Sequence, residues 1–503
     1  MHSSQKTYLL VSLGIVAMCG ICYELLLAAI ATYLLGNSIY YFSLVIGLFM
    51  FAMGLGSFIS KRIEGNLTAK FIFIEIALGV IGGLSGIVLF FIFPLARDFF
   101  EIFLFSFVII IGVLVGMEIP ILTGVLAKEN SAQKVVADIM SFDYVGALIG
   151  SVGFPLILLP TMGILTSSFA IGLGNLFAAC WTCMVFWNAV ESRKYLLETI
   201  ILSLTVLIGF LICSSYLTSM AEKNLYFDKI VYSQQSPYQN IVLTRSNNGK
   251  DHRLYLDGHI QFSTKDEYRY HEYLVHPVIT QVKTPEKVLI LGGGDGLAAR
   301  EVLKHKEVQR IDLVDIDPLI TEFGQSNAII RRLNESSLSN PKLNVYNDDA
   351  FSFLNSEGIL YDVIIIDLPD PHNEALNKLY TKEFYRIAEK RMSNDGALVT
   401  QSSSPFFTRR VFWSINATLG TVFEQVTPYN ITLPSFGIWG FNLAFKNSSH
   451  SKNMEPIDNT RVYSDASFEK AKIFEDDIAE IEASVNSIFA PTIYMLYLDD
   501  LKS

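Results

Sequence analysis

The sequence predicts two folds in one chain: a multi-span α-helical membrane half, then a mostly parallel, doubly wound α/β half that opens on a small β region. Three observations carry this. Seven apolar runs of bilayer-spanning length precede residue 220, and strand and helix patterns alternate from residue 286. The charge divides as well: residues 1–220 hold nine Lys/Arg and eleven Asp/Glu, whereas the remainder holds 29 and 38. An acidic soluble half argues against a nucleic-acid partner, which would favour a basic face.

The apolar runs lie at 7–35, 38–60, 70–94, 99–127, 139–160, 164–188 and 196–219. A helix needs about 20 apolar residues to cross the hydrocarbon core, so seven spans and a membrane domain over 1–220 are expected. A cleaved signal peptide fits poorly, because the first run is too long and another follows at once. With the N-terminus inside, Lys6, Lys61, Arg62, Lys70, Lys128, Lys134, Arg193 and Lys194 fall on the cytoplasmic side and only Arg97 on the other. That bias orients the bundle N-in and leaves everything after residue 220 outside. The expected location is the cell (inner) membrane, multi-pass, with the lipid bilayer as a partner.

Glu24, Glu75, Glu118 and Asp143 fall within or at the edges of these runs. Charge at membrane depth is costly and faces a bundle interior or a polar cavity. Two readings stand: a cation or polyamine site, or hydrogen-bonded interhelical packing. The cysteines Cys19, Cys22, Cys180, Cys183 and Cys213 all lie in apolar segments of this half and read as packing residues. No ligand cluster for a metal is visible in the sequence.

The region 221–285 contains "YQNIVLTRSNNGKDHRLYLDGHIQF" (238–262), a β-hairpin whose two strands flank Asn247-Asn248-Gly249. "KDEYRYHEYLVHPVI" follows as a helix. Between 286 and 447 come strands at VLIL, RIDLV (310–314), LNVY (343–346), DVIII (362–366) and ALVTQ (397–401), with helices over 298–305 and near 379–391. Such sheets bind ligands at the carboxyl ends of their strands. Those ends read Gly292-Gly293-Gly294-Asp295-Gly296, then Asp315-Ile316-Asp317, then Asn347-Asp348-Asp349-Ala350, then Asp367-Leu368-Pro369-Asp370-Pro371. Asp315 stands 20 residues beyond Asp295, the spacing of an acid that grips ribose hydroxyls. No Walker lysine accompanies the glycines, which excludes a P-loop triphosphate site. Carboxylates at four consecutive strand ends suit a positively charged nucleoside without phosphate, of the S-adenosylmethionine type. From 448 to 503 a polar linker precedes apolar residues at near-helical spacing (Ile473, Ile478, Ile481, Val485), read as one amphipathic C-terminal helix packing on the domain or a neighbouring subunit.

Over roughly 225–445 these residues resemble the spermidine synthases (polyamine aminopropyltransferases). The resemblance rests on "SPYQNIVL", "LYLDGHIQF", "DEYRYHEYLVHP", "VLILGGGDGLAAREVLKH", D-x-x-D-P at 367–371 and "KLYTKEFY". The multi-span N-terminal half is similar to the membrane-bound branch of that family. The resemblance implies a small β domain followed by a Rossmann-like (methyltransferase-like) catalytic domain. It implies aminopropyl transfer from decarboxylated S-adenosylmethionine, a co-substrate, to a di- or polyamine, most simply putrescine to spermidine. No prosthetic group is expected. The partners are then a polyamine and a sulfonium nucleoside, and a homodimer is expected. By the same resemblance Gln239 contacts the thioadenosine, with the loop glycines Gly292 and Gly294. Asp315 holds the ribose, Asp349 and Ala350 meet the adenine, and Pro371 lines its pocket. Asp295 and His271 contact the amine ends, Asp367 is the general base, and Asp370, Gln261 and Tyr270 place the attacking amine. Asp295 among the glycines would attract the donor's terminal ammonium and disfavour the carboxylate of ordinary S-adenosylmethionine.

The chain departs from the family at "DLPDPHNEALN", where the soluble enzymes read D-S-S-D-P before a G-P-A turn. It departs again at "LPSFGIWGF", where they carry Y-P-x-G. The acceptor amine is left open by these changes. Two other readings stand beside this one: another S-adenosylmethionine-dependent alkyl transferase, and a polyamine transporter or sensor whose soluble half only binds.

Overall fold

A computed structural model describes residues 3–35, 38–126, 132–190, 192–447, 457 and 459–501. Lys128 and most of the expected polar linker after 447 lie outside these residues. The chain divides into two compact units, Met1–Phe227 and Asp228–Ser503.

The first unit is helical, and helices occupy all seven apolar runs: α1 (Ser3–Leu35), α2 (Ser38–Ser60), α3 (Leu67–Ile92), α4 (Phe100–Leu126), α5 (Ala132–Gly153), α6 (Leu159–Val185) and α7 (Arg193–Ile212). A shorter helix, α8 (Ser214–Leu225), ends the unit. By length and composition six stretches could cross a membrane, one of them the 53 residues from Gln133 to Val185. That stretch is two helices. It passes through a π turn at Phe154–Leu158 and breaks at Gly163, whose φ of +73° L side chains rarely adopt.

Cross-helix contacts fix each direction. α5 runs parallel to α1: Lys6 pairs with Asp138, and the Cys22 Sγ donates to the Gly150 carbonyl. α6 runs against α1, with Ser12 bonded to Thr182 and Cys19 beside Gly174. It also opposes α3 (Glu75 to Asn175, Ser168 to Gly83) and α7 (Phe169 stacked on Phe210). α4 opposes α3, with Glu118 at Glu75 and Gly124 at Leu67, and runs parallel to α2 through Tyr41–Glu101. Directions therefore alternate through all seven, and α7 leaves the bundle at the end opposite to that where α1 begins. Glu75, Glu118 and Glu24 are buried, while Met50, Phe51, Leu148 and Ile212 are exposed apolar side chains.

The second unit carries two sheets. The smaller is antiparallel, in the order β1 (Lys229–Gln235), β2 (Asn240–Arg245), β3 (His252–Leu256), β4 (His259–Ser263). Residues 238–262, read as one hairpin of two strands, thus hold three. The second expected strand turns at Asp257-Gly258, both at positive φ (50° and 81°), as a two-residue hairpin turn requires. This sheet shares a buried core with helices that follow it. Ile241, Leu243, Leu254 and Phe262 form one buried cluster with Leu297, Ile320, Phe323 and Ile330 of the α/β region.

The larger sheet adds β5 (Lys287–Gly292), β6 (Arg310–Val314), β7 (Leu343–Tyr346), β8 (Tyr361–Asp367), β9 (Met392–Gln401), β10 (Gln425–Leu433) and β11 (Gly437–Phe445). Its order is β10-β11-β9-β8-β5-β6-β7, parallel from β9 to β7, with β11 antiparallel to both β9 and β10. Both faces are covered. Val288 and Ile290 of β5 enter one core while Leu289 and Leu291 enter the other, and β8 divides likewise. Continuous apolar strands follow from this two-sided burial. Helix α9 (Glu267–Thr280) contains Pro277, which cannot donate to the Tyr273 carbonyl; the Tyr429 hydroxyl donates to it instead, at 2.8 Å.

The tail corrects the sequence reading. Helices form at Asp465–Ala471 and Ile493–Asp500, and the stretch from Ile473 to Val485 between them is not helical. Of its periodic apolar residues Ile478 alone is buried; Ile473 is 71% exposed. Acids at 475–477, 480 and 482 would repel along a helix, and the Ile478 and Ala479 carbonyls accept instead from Trp413 and Arg409.

Candidate active site

The carboxyl ends of β5, β6, β7 and β8 converge on a cleft of about 490 Å³, roofed by residues of β4, α9 and the β10–β11 turn. Among its lining residues are seven aspartates (Asp257, Asp295, Asp315, Asp348, Asp349, Asp367 and Asp370) and one lysine, Lys378. Such a surface repels anions and accommodates a cation.

Sharp backbone turns build the loop after β5. Gly292, at φ 85°, lies so close to β8 that a Cβ would strike the Asp367 carbonyl. Asp295 accepts from the Leu297 amide at 2.9 Å, capping the helix start, and burial lifts its pKa to about 6. Asp315 accepts from the Gly294 and Asp317 amides, both at 3.0 Å, and burial lifts it likewise to about 6.

At the end of β8, Asp367 Oδ1 accepts from the Tyr270 hydroxyl at 2.8 Å. Burial raises the Asp367 pKa, opposed by His271 and by this bond. Asp370 accepts from Gln401 (3.3 Å) on Oδ1, and from Ser403 (3.3 Å) and Tyr497 (3.1 Å) on Oδ2; burial lifts it to about 6. His271 is buried. Its Nδ1 lies 2.8 Å from the Glu267 carbonyl and 3.0 Å from the Glu267 carboxylate, which Arg300 grips with both terminal nitrogens. Burial opposes protonation of His271, but the Glu267 carboxylate outweighs it and the pKa rises.

The sequence-derived residues Tyr270, Asp367, Gln239, Asp295, Gly292, Gly294, Asp315, Asp349, Ala350, His271, Asp370 and Gln261 all line this one cleft. Two expectations change. Pro371 is buried and is not among the lining residues. Asp349 is already engaged: Oδ1 accepts from the Ser352 amide at 2.9 Å and Oδ2 pairs with Lys378 at 2.8 Å. Sequence reasoning missed other participants. Asp317, fully buried, holds the Gln239 side-chain amide at 2.9 Å and Ser236 at 2.7 Å. Trp439 lines the cleft with an indole N–H that finds no acceptor among the described residues, and His259 stacks on His372 at 4.5 Å. Asp317 and Trp439 stood inside quoted motifs; Tyr497 had no signal, because it comes from the tail.

Residues 267–456 match the spermine/spermidine synthase domain. The chain is 42% identical over 483 residues to a polyamine aminopropyltransferase of Leptospira interrogans, covering 96% of each chain. It is 39% identical over 499 residues to one of Oceanobacillus iheyensis, covering 97% of this chain and 96% of that one. A solved spermidine synthase of Thermotoga maritima is 27% identical and aligns with 49% of this chain and 85% of its own, at a TM-score of 0.45.

Proposed function

Since the chain belongs to the polyamine aminopropyltransferase family and is an enzyme of that class, we propose that its donor is decarboxylated S-adenosylmethionine and its acceptor putrescine, giving spermidine and methylthioadenosine. The observation that carries the donor assignment is Asp295, a carboxylate in a glycine turn that, with Asp315, Asp367 and Asp370, has no ion-pair partner among the described residues. An ammonium there would supply the missing positive charge. The carboxylate of ordinary S-adenosylmethionine would be repelled.

The reaction is an in-line displacement. An alkylammonium has a pKa near that of lysine, about 10.4, so the attacking amine must lose a proton. Asp367 would take it, and the Tyr270 hydroxyl bonded to its Oδ1 would fix its orientation. Burial makes Asp367 a stronger base than an exposed aspartate. The amine nitrogen then attacks the carbon beside the sulfonium, the C–S bond breaks towards sulfur, and methylthioadenosine leaves uncharged. Asp370 would hold the distal ammonium of the diamine, and Asp315 the ribose.

The first unit is proposed to be a multi-pass membrane domain. Support comes from seven long apolar helices with alternating directions and many exposed apolar side chains. Combined with the Lys/Arg bias, an odd number of crossings would present the catalytic unit outside. The assay is purified full-length protein with decarboxylated or ordinary S-adenosylmethionine and a panel of diamines, reading methylthioadenosine release. Release from the decarboxylated donor with putrescine is expected; turnover of ordinary S-adenosylmethionine alone would overturn the reading.

A further inference from the structure

Asp370 lines the cleft at what the proposed function makes its acceptor end, and the shortest hydrogen bond to its carboxylate comes from far along the chain. Tyr497 lies in the helix Ile493–Asp500, beyond the matched domain, which ends at residue 456. It is 8% exposed, lines the cleft, and donates its hydroxyl to Asp370 Oδ2 at 3.1 Å. Its ring centroid is 6.4 Å from that of His372. The contact is built in. Ile493 is fully buried in the core shared with Leu379 and Ile415, and Asp500 pairs with Arg410 and accepts from its backbone amide. Upstream, buried Asn486 donates to the Tyr380 carbonyl at 3.1 Å and accepts from the Thr492 amide at 3.0 Å.

The other donors to Asp370, Gln401 and Ser403, come from the end of β9 and the residues that follow it. All three donors are neutral, so the carboxylate is held in place without losing its charge. A phenol bonded this way can also accept one N–H from an ammonium seated on the carboxylate. We propose that Tyr497 is a positioning residue for the acceptor amine, fixing the Asp370 carboxylate and closing the acceptor end of the cleft, so that the carboxy-terminal helix is a working part of the active site. This rests on the reading of the cleft as an aminopropyl-transfer site.

The test is Tyr497→Phe in the full chain, which keeps the ring and its packing and removes only the hydroxyl. The KM for putrescine should rise about 5- to 20-fold with kcat within about threefold and the donor KM unchanged, since a hydrogen bond to a charged group is lost. The pH profile gives a second readout. Asp367, Tyr270, His372 and Tyr380 are the titratable groups around Asp370 and stay as they are. Without the Tyr497 bond the charged carboxylate is less favoured, so the acid limb of kcat/KM for putrescine should move to higher pH. Unchanged acceptor KM and acid limb, or equal losses for donor and acceptor, would overturn the proposal. If wild-type protein itself transfers no aminopropyl group, the functional reading fails; active wild type with an indifferent Tyr497→Phe refutes only the role of the tail.

Discussion

Asp367 and Asp295 share one buried setting, and the proposed function divides proton transfer and charge recognition between them. Asp367→Asn keeps the side-chain shape and removes proton acceptance, so turnover should fall by about 10²–10⁴ with methylthioadenosine binding retained. Near-normal turnover would remove it as the base. Asp295→Asn should weaken the decarboxylated donor by roughly 1.5–3 kcal/mol while methylthioadenosine, lacking the ammonium, changes far less. Equal losses for both ligands in calorimetry would make Asp295 a shaper of the loop only. The same substitution has a stability consequence of known sign. The folded-state pKa of Asp295 is about 6 and an unfolded aspartate titrates near 3.9. Between those values the folded chain binds the extra proton, so stability is lost as pH rises through the window and the full cost is present at neutral pH. Asp295→Asn should therefore melt above wild type at pH 7.5 and close to it at pH 4. The opposite order in thermal melts would reverse the assignment of burial as the cause.

At the scale of elements, the loop after β5 leaves least room for change. Gly292→Ala places a methyl group against the Asp367 carbonyl at a φ that alanine avoids, so it should cost about 1–3 kcal/mol and damage donor binding. A denaturation midpoint equal to wild type would contradict this close approach. These elements were legible in the sequence because their signals were local: apolar runs bounded by Gly and Asp define β5, β6 and β8, and their ends define the site. What escaped was non-local. Asp317 gains its role from Ser236 and Gln239 in the turn between β1 and β2, and Asp349 from Lys378. The helical spacing of Ile473, Ile478, Ile481 and Val485 lost to side chains of the helix Arg409–Gly420, which satisfy the backbone of that stretch. Asp257-Gly258 is a local signal too, but Asn248-Gly249 nearby is an equally good hairpin turn, and the sequence alone does not say that both are used.

For the whole molecule, the helix count decides the sidedness of the proposed membrane domain. A sequence reading could mark seven apolar runs but could not know whether the chain turns back at Gly163; the contacts of α1 with α5 and α6 supply that. A reporter fused after Ser503 that works only outside the cytoplasm should be active, and one that works only in the cytoplasm silent; the reverse would overturn the N-in placement. Tyr497 carries a further consequence, in the order of synthesis. A nascent chain has every described cleft-lining residue but Tyr497 once residue 439 has emerged, yet Asp370 gains its third donor only when the helix Ile493–Asp500 has been made and docked. On the proposed role of Tyr497, donor binding should thus precede firm acceptor binding during biogenesis, and a protease that trims the tail would leave a protein that still captures its donor but holds the amine weakly.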